Sequence, residues 1–387
     1  MRSDSSGAQA WHAQCGNQNL PNRKILFMYN VCGLGGVETS IINRVGVFRR
    51  LGLETRILFQ DYWGEGGKLM AQHPAISICK DEDSQRVVID ELSPDCIVVV
   101  DSPRFVRVVK RSQARCPLLF ETHMSDLNAF EARRVVDAIA DSRVSLVVAP
   151  AEFNRSVLIG HSIDESRIRI IPNSIDLERF ETPADEQRSV HLNVPIETPL
   201  LLFVGRLEPQ KNAVEFVRIH KKLLEYDRSI HAVIVGDAVD TQSYEQAVRA
   251  EAAPIIENVT FLPRVSYDEM PALYQAVARS GGCLVSTSLH ESQPMIILEA
   301  MASRCPVVAS NVGGTGELVR QGKTGHVYQS GDTDRAARHI WQVTADRRLR
   351  STTVRAAQAY VRSRHSCSWT AESYRKLFQD VGVFEHA

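Results

Sequence analysis

The sequence predicts an α/β protein whose two doubly wound halves face a central cleft. Three observations carry that prediction. Short, unbroken Val/Ile/Leu runs recur along nearly the whole chain, helical patterns such as "AVEFVRIHKKLLEY" lie between them, and the alternation halts once near the middle before restarting. Continuous apolar runs belong to strands buried on both faces, as in parallel sheets. Strand–helix alternation then implies right-handed βαβ crossovers.

In the first half, strands are read at "KILFMYN", "TRILFQD", "ISICK", "CIVVVD", "PLLFET", "LVVAP" and "IRIIPN". In the second half they are read at "LLLFVGR", "HAVIVGD", "VTFLPR", "GCLVSTS", "PVVASN" and "GHVYQ". The halt is "FETPADEQRSVHLNVPIETPL", a polar stretch with three prolines, and the boundary is placed near residue 190. At 387 residues the chain exceeds one ordinary core. The expected organisation is a flexible tail over 1–22, Rossmann-like domains over 23–190 and 191–365, and a last amphipathic helix over 366–387 that packs back on the first domain. Ligands of such sheets bind where strand carboxyl ends face the cleft.

Hydrophobic residues make up 44% and charged ones 24%, as in globular proteins. A formal net charge of -1 argues against general nucleic-acid binding, which needs a basic excess. No apolar run approaches the roughly 20 residues of a spanning helix. The opening "MRSDSSGAQAWHAQCGNQNLPNR" lacks the apolar core of an export signal, so a cytoplasmic protein is expected. The eight cysteines form no C-x-x-C pair, and most lie in or beside apolar strands. Reduced, buried thiols fit that pattern better than zinc ligation.

Two glycine-rich stretches resemble nucleotide loops without matching them. In "NVCGLGGVETS", Gly33 and Gly35 suit a dinucleotide fingerprint, but its third glycine position holds Glu38, whose carboxylate would crowd and repel a pyrophosphate. In "GELVRQGKTG" a P-loop would need glycine where Glu317 stands, so a surface turn is expected. The triplets Asp81-Glu82-Asp83 and Asp332-Thr333-Asp334 sit in hydrophilic turns and are read as solvated loops.

The second half concentrates the chemistry. "FVGRLEPQKN" places Arg206 at a strand end and Lys211 at the start of the next helix, with Asn212 and Glu215 spaced for a capping box. A lysine there opposes the helix dipole by about 0.3–1 kcal/mol, and an anion shared by Lys211, Arg206 and the helix end reverses that sign. In "SLHESQPMIILEAMA", Glu291 follows a strand, Pro294 suits a first helical turn, and Glu299 lies inside the helix. Eight helical steps would separate the two glutamates by roughly 12 Å, more than the about 5–9.5 Å of glycosidase carboxyl pairs. They suit two ends of one elongated, hydroxyl-bearing ligand, with the amides near Gln293, Pro294, Met295 and Ile296 facing phosphates between them.

These residues carry a resemblance. "GRLEPQKN" followed by "ESQPMIILEAMA" is similar to the retaining nucleotide-sugar glycosyltransferases of family 4, which have the GT-B fold and a Glu-x7-Glu motif matched by Glu291 and Glu299. "GLGGVET", "ETHMSD", "RIIPNSIDLERF", "FLPRVSYDEMPALY" and "VVASNVGGTGELV" resemble further family segments, in order, from Lys24 onwards. The resemblance implies that Arg206 and Lys211 neutralise a donor diphosphate, Glu291 binds the donor sugar and Glu299 the ribose. It sets Arg264 and Val265 against the base and His123 near the sugar from the acceptor-side domain, while Gly33, Gly35 and Gly36 let backbone approach the ligands. It also implies transfer with retention, to a hydroxyl acceptor such as a glycan or lipid-linked saccharide, with no cofactor or metal. Departures stand at Ser292-Gln293-Pro294, where a Gly-Phe-Gly-like trio is common, and at Ser174, where glycine is common. Gln293 is expected to replace an aromatic contact there.

Other readings stay open on sequence. A GT-B sugar-nucleotide epimerase or a catalytically dead binding module shares the frame, and a small metabolite is an alternative acceptor. In "SPRFVRVVKRSQARC", over 103–116, Arg104, Arg107, Arg111 and Arg115 fall on one stripe opposite Phe105 and Val109. Such a face suits anionic lipid heads, an acidic acceptor or plain solvent.

Overall fold

The computed structural model describes residues 23–33, 35–62, 66–67, 75–124, 130–184, 198–238 and 242–385. The tail over 1–22 and the break near residue 190 lie outside the described residues.

The first half contains β1 (Lys24–Cys32), α1 (Gly36–Arg50), β2 (Glu54–Tyr62), β3 (Ile76–Ile78), α2 (Glu82–Leu92), β4 (Cys96–Val100), α3 (Pro103–Arg111), β5 (Leu118–Glu121), α4 (Phe130–Ala140), β6 (Leu146–Ala149), α5 (Glu152–Gly160), β7 (Ile168–Ile170) and α6 (Leu177–Glu181). The second contains β8 (Leu200–Val204), α7 (Ala213–Leu223), β9 (His231–Val235), α8 (Gln242–Ala252), β10 (Val259–Leu262), α9 (Met270–Arg279), β11 (Cys283–Ser286), α10 (Met295–Ala302), β12 (Val307–Ser310), α11 (Thr315–Leu318), β13 (His326–Tyr328), α12 (Thr333–Ala345), α13 (Arg347–Arg364) and α14 (Cys367–Asp380).

Both sheets are parallel, in the orders β3-β2-β1-β4-β5-β6-β7 and β10-β9-β8-β11-β12-β13. Chain order reverses between β1 and β4 and between β8 and β11, which opens a crevice at each carboxyl edge. The strand interiors are fully buried, as their unbroken apolar runs require: Val98, Val99 and Val100 in β4, and Leu201 and Leu202 in β8, have no measurable exposure. Each sheet therefore carries an apolar cluster on either face.

The chain leaves the first domain after β7 and returns at its end. In α14, Tyr374, Leu377 and Phe378 enter the first domain's core, with the Tyr374 and Phe378 rings 4.8 and 5.3 Å from that of Phe48. Polar bonds also tie the two domains. Glu317 accepts the N–H groups of Glu152 and Phe153 at the start of α5 (3.0 and 2.7 Å), and Ser292 Oγ donates to Asn154 (2.9 Å).

Two local expectations are corrected. No capping box forms at α7: Asn212 adopts a left-handed φ of 53° and its side chain caps nothing. Its amide donates instead to Glu215 (2.8 Å), whose carboxylate is also engaged by the Tyr328 hydroxyl (2.9 Å). The arginine stripe is also interrupted. Helix α3 stops at Arg111, so Arg115 lies beyond it, and Arg104 and Arg111 both pair with Glu82 (3.3 and 3.0 Å). Asp81 and Asp332 cap α2 and α12, each accepting a backbone N–H of its helix's first turn. Among the described residues no helix is long and apolar enough to cross a membrane.

Candidate functional site

The site is built on the carboxyl edge of the second sheet. Past β8, Arg206 is half-exposed and pairs with Glu208 (2.8 Å). A single 3-10 turn over Pro209–Lys211 then sets Lys211 just ahead of α7. From β11, "STSLHES" carries Glu291 back over this turn. Lys211 Nζ donates to Glu291 Oε1 at 2.6 Å, with side chains only 20% and 10% exposed. The same carboxylate oxygen accepts from Ser288 Oγ (2.8 Å), and Thr287 Oγ1 donates to the carbonyls of Lys211 and Asn212 (2.9 Å each). The two loops are thereby held as one unit.

The backbone around Glu291 is clamped by the later glycine turn. Gly314 N–H donates to the Glu291 carbonyl (3.0 Å). Gly313 has φ +50°, and a Cβ there would fall 1.8 Å from that carbonyl oxygen. Only glycine permits this approach.

Helix α10 starts at Met295, not at Glu291, with Pro294 as its cap and no side-chain oxygen on its first amides. The three residues after Glu291 are non-helical, so the Glu-x7-Glu segment is an extended turn followed by one turn of helix. Glu299 lies in that helix, nearly buried, and accepts from the Tyr274 hydroxyl (2.9 Å). Burial pushes its carboxyl up to about 7, only partly offset by that bond. Met295 is buried in the core beneath α10 and Ile296 packs at its margin. Val265 likewise packs on this core, while Arg264 N–H lies 3.4 Å from Asp237.

Gln293 does not offer its side chain to the cleft. Its Nε2 donates to Pro150 O (2.8 Å) and its Oε1 accepts the Asn173 N–H (2.6 Å). A polar side chain with both ends taken by backbone partners is a structural tie, which corrects the expectation that it replaces an aromatic contact.

The first domain supplies the facing wall. Gly33 is buried, Gly35 is the residue before α1 and Gly36 opens that helix. A Cβ at Gly36 would lie 3.7 Å from the Met295 side chain, which brings the starts of α1 and α10 together. Glu38 folds back over its own loop and accepts from Gly35 N–H (3.2 Å). Burial raises the Glu38 pKa, while backbone N–H groups of Glu38, Gly35 and Gly33 and the Arg264 charge pull it down. Arg264 of the second domain thus acts on the first domain's loop. Tyr29, within β1, is pushed up by burial and by Glu38 and Asp101, and lowered by Arg206.

His123 is held by partners of the first domain. Its Nε2 meets Glu121, its N–H donates to Asp101 (3.0 and 3.2 Å), and its side chain is 6% exposed. Burial alone would raise the Glu121 carboxyl, but Arg44 and His123 outweigh it and hold it at about 2. Sequence reasoning did not single out Ser288, Glu121 or Tyr274: the Arg44 partner of Glu121 and the Glu299 partner of Tyr274 come from other elements, and Ser288 reaches Glu291 within its own loop without a motif to mark it. Among the described residues no group of three His, Cys, Asp or Glu side chains is arranged to hold a metal ion.

Comparison with known proteins agrees with this architecture. Residues 34–179 match the model of Glycosyltransferase Family 4 and residues 185–360 that of Glycosyl transferases group 1. The chain is 30% identical over 217 residues to the D-inositol 3-phosphate glycosyltransferase of Nocardia farcinica, covering 54% of this chain and 47% of that one. It thus spans about half the length of this relative. It is 24% identical to the lipopolysaccharide 1,2-N-acetylglucosaminetransferase of Salmonella typhimurium, covering 73% and 72% of the two chains. Among solved structures, Anabaena Alr3699/HepE in complex with UDP and glucose superposes with a TM-score of 0.80 at 20% identity, covering 93% of this chain and all of that one. Two family models in tandem over two facing parallel-sheet domains settle the assignment: the chain belongs to the family 4 glycosyltransferases of GT-B fold.

Proposed function

We propose that this protein is a retaining glycosyltransferase that moves a sugar from a nucleoside diphosphate sugar to a hydroxyl acceptor, a glycan or lipid-linked saccharide. The observation that carries the reading is the Lys211–Glu291 pair beside Arg206, set against the uncapped start of α10. Each cation is held by a carboxylate of its own domain, and a diphosphate arriving at the α10 amides competes for both. Glu291, released from Lys211, then turns its acceptor oxygens to sugar hydroxyls. Glu299, further along α10, accepts from the ribose, and Arg264 and Val265 border the base. Charge developing on the departing diphosphate is met by Lys211, Arg206 and the helix amides in a site from which the facing domain excludes water. Attack from the same face as the leaving group gives retention, with the diphosphate taking the acceptor proton. In this reading the diphosphate needs no resident metal or cofactor, since the protein supplies the countercharge.

The acceptor class is supported by the Salmonella relative, whose name specifies a lipopolysaccharide. The engagement of Arg104 and Arg111 by Glu82 leaves membrane contact through α3 without a continuous basic face.

Thermal-shift measurements with UDP, GDP and ADP, on wild type, Lys211→Ala and Glu299→Ala, test the site. One nucleotide is expected to stabilise wild type and to lose that effect in both variants; equal stabilisation of all three proteins would overturn the assignment. Proton NMR of the anomeric position then tests retention, and an inverted product rejects it. Conversion of the sugar nucleotide without acceptor would point to an epimerase.

A further inference from the structure

We propose that Asn173 is the hub that couples the donor loop to His123 across the domain boundary, and that Asn173 and Gln293 are positioning residues for sugar transfer. The proposal rests on the functional reading above and extends it to residues outside the cation pocket.

Every polar group of Asn173 is engaged, and its partners come from three different segments. Its N–H donates to Gln293 Oε1 (2.6 Å) and its Nδ2 to Gln293 O (3.0 Å), both in the loop that carries Glu291. Its Oδ1 accepts from Ser40 Oγ (2.8 Å) and Arg44 Nη2 (3.1 Å), both on α1. Its carbonyl meets His365 Nδ1 (2.8 Å), where the chain crosses back to the first domain. Ile175 N–H donates to His365 O (2.9 Å), so both crossings between domains are joined at this residue.

The path continues inward. Arg44, fully enclosed, pairs with Glu121, and Glu121 also holds His123 and accepts from Tyr374 (3.3 Å). Ser40, Arg44, Glu121, Asn173 and His365 are all at most 2% exposed. A buried network of this kind has few alternative arrangements, because leaving one member unpaired costs the desolvation of a polar or charged group. A shift of Gln293 as the donor loop closes on a diphosphate therefore has a direct mechanical route, through Asn173 and Arg44, to the carboxylate that orients the imidazole. Gln293 also fastens to Pro150 at the end of β6, so the donor loop grips the first domain at two backbone points.

Hydrogen exchange with UDP, GDP and ADP tests the coupling in wild type, Asn173→Asp and Gln293→Leu. Asparagine to aspartate keeps the oxygen that accepts from Ser40 and Arg44 but removes the donor to Gln293 O. In wild type the binding nucleotide is expected to protect the donor loop over 288–299 and also the end of β5 over 118–124. Either variant should keep the first response and lose the second. Its kcat should fall between about tenfold and a hundredfold, as for a misplaced catalytic group, with the donor KM within about twofold. Donor-loop protection without any β5 response in wild type, or an unchanged β5 response in folded variants, overturns the proposal and leaves the functional reading standing. If no nucleotide protects the donor loop in wild type, that reading fails and this one with it.

Discussion

Two strand-to-helix junctions look at each other across the cleft, and they treat their helix amides in opposite ways. At the β1–α1 junction the chain supplies its own anion: Glu38 folds over the glycine loop and takes Gly35 N–H. At the β11–α10 junction the cap is Pro294, with no side-chain oxygen on the first amides, and the one carboxylate on the preceding loop, Glu291, is taken by Lys211 instead. The glycine-rich sequence, which looks like the phosphate loop, is the one already filled. The junction without glycines at the helix start is the one that lacks an internal acceptor. Amide-rich geometry alone does not mark a phosphate site; what matters is whether the fold has placed a carboxylate there.

Lys211→Ala is the sharpest test of this contrast. Loss of one preorganised charge contact in a water-excluded site costs about 100- to 1000-fold in turnover. The variant should still fold, since Glu291 keeps Ser288 as a donor. Steady-state kinetics with the nucleotide sugar found by thermal shift would check this, and near-wild-type turnover would remove the second junction's claim on the diphosphate.

Gly313→Ala attacks the same junction through its backbone. The added methyl would sit 1.8 Å from the Glu291 carbonyl oxygen, on a residue with φ +50°. The loop must move, and a displacement near 1 Å costs on the order of 100-fold in rate. Turnover is expected to drop by about that factor while Lys211 and Arg206 remain in place; kinetics no different from wild type would show that the clamp does not set Glu291.

Glu299 gives the second junction a pH signature. Its carboxyl titrates at about 7 because it is buried. The ionised form is the stronger acceptor for ribose hydroxyls, and protonation below that value weakens it. Nucleotide affinity is therefore expected to weaken as pH falls below about 7, by up to about tenfold per unit. Isothermal titration between pH 5.5 and 8 would follow it, and Glu299→Gln should flatten the profile. A wild-type profile that is already flat would separate Glu299 from the ribose.

How much of this was legible in the sequence differs by element. The strands were, because runs such as "CIVVV" and "LLLFV" have few folds open to them other than a sheet buried on both faces. Lys211 and Glu291 were each legible as candidate site residues, because each follows a strand of the second sheet, but the bond between them was not: the sequence grouped Lys211 with Arg206 and Glu291 with Glu299. Asn212 was not. Its spacing to Glu215 satisfies a capping box, but Glu215 is claimed by Tyr328 from β13, and no local pattern announces a partner from so far along the chain. Gln293 was misread for the same reason: its partners, Pro150 and Asn173, belong to the other domain. Periodicity reports burial and backbone geometry report turns, whereas the choice among polar partners is made only when distant segments meet.

Glu38→Gln should have the smallest effect, and its smallness is informative. Glutamine keeps an oxygen within reach of Gly35 N–H, so the loop amide stays satisfied and stability should change by less than about 1 kcal/mol. The negative charge is removed. If the loop only lets backbone approach the ligand, nucleotide affinity should stay within about threefold, since the diphosphate is gripped from the other side of the cleft. If the carboxylate instead repels an anion that belongs at this junction, neutralising it should tighten UDP binding well beyond that. Affinity measured by titration at two ionic strengths distinguishes the outcomes, because repulsion between a carboxylate and a diphosphate weakens with salt and a hydrogen-bonded cap does not. Tighter binding by the variant at low salt alone would reverse the roles of the two junctions.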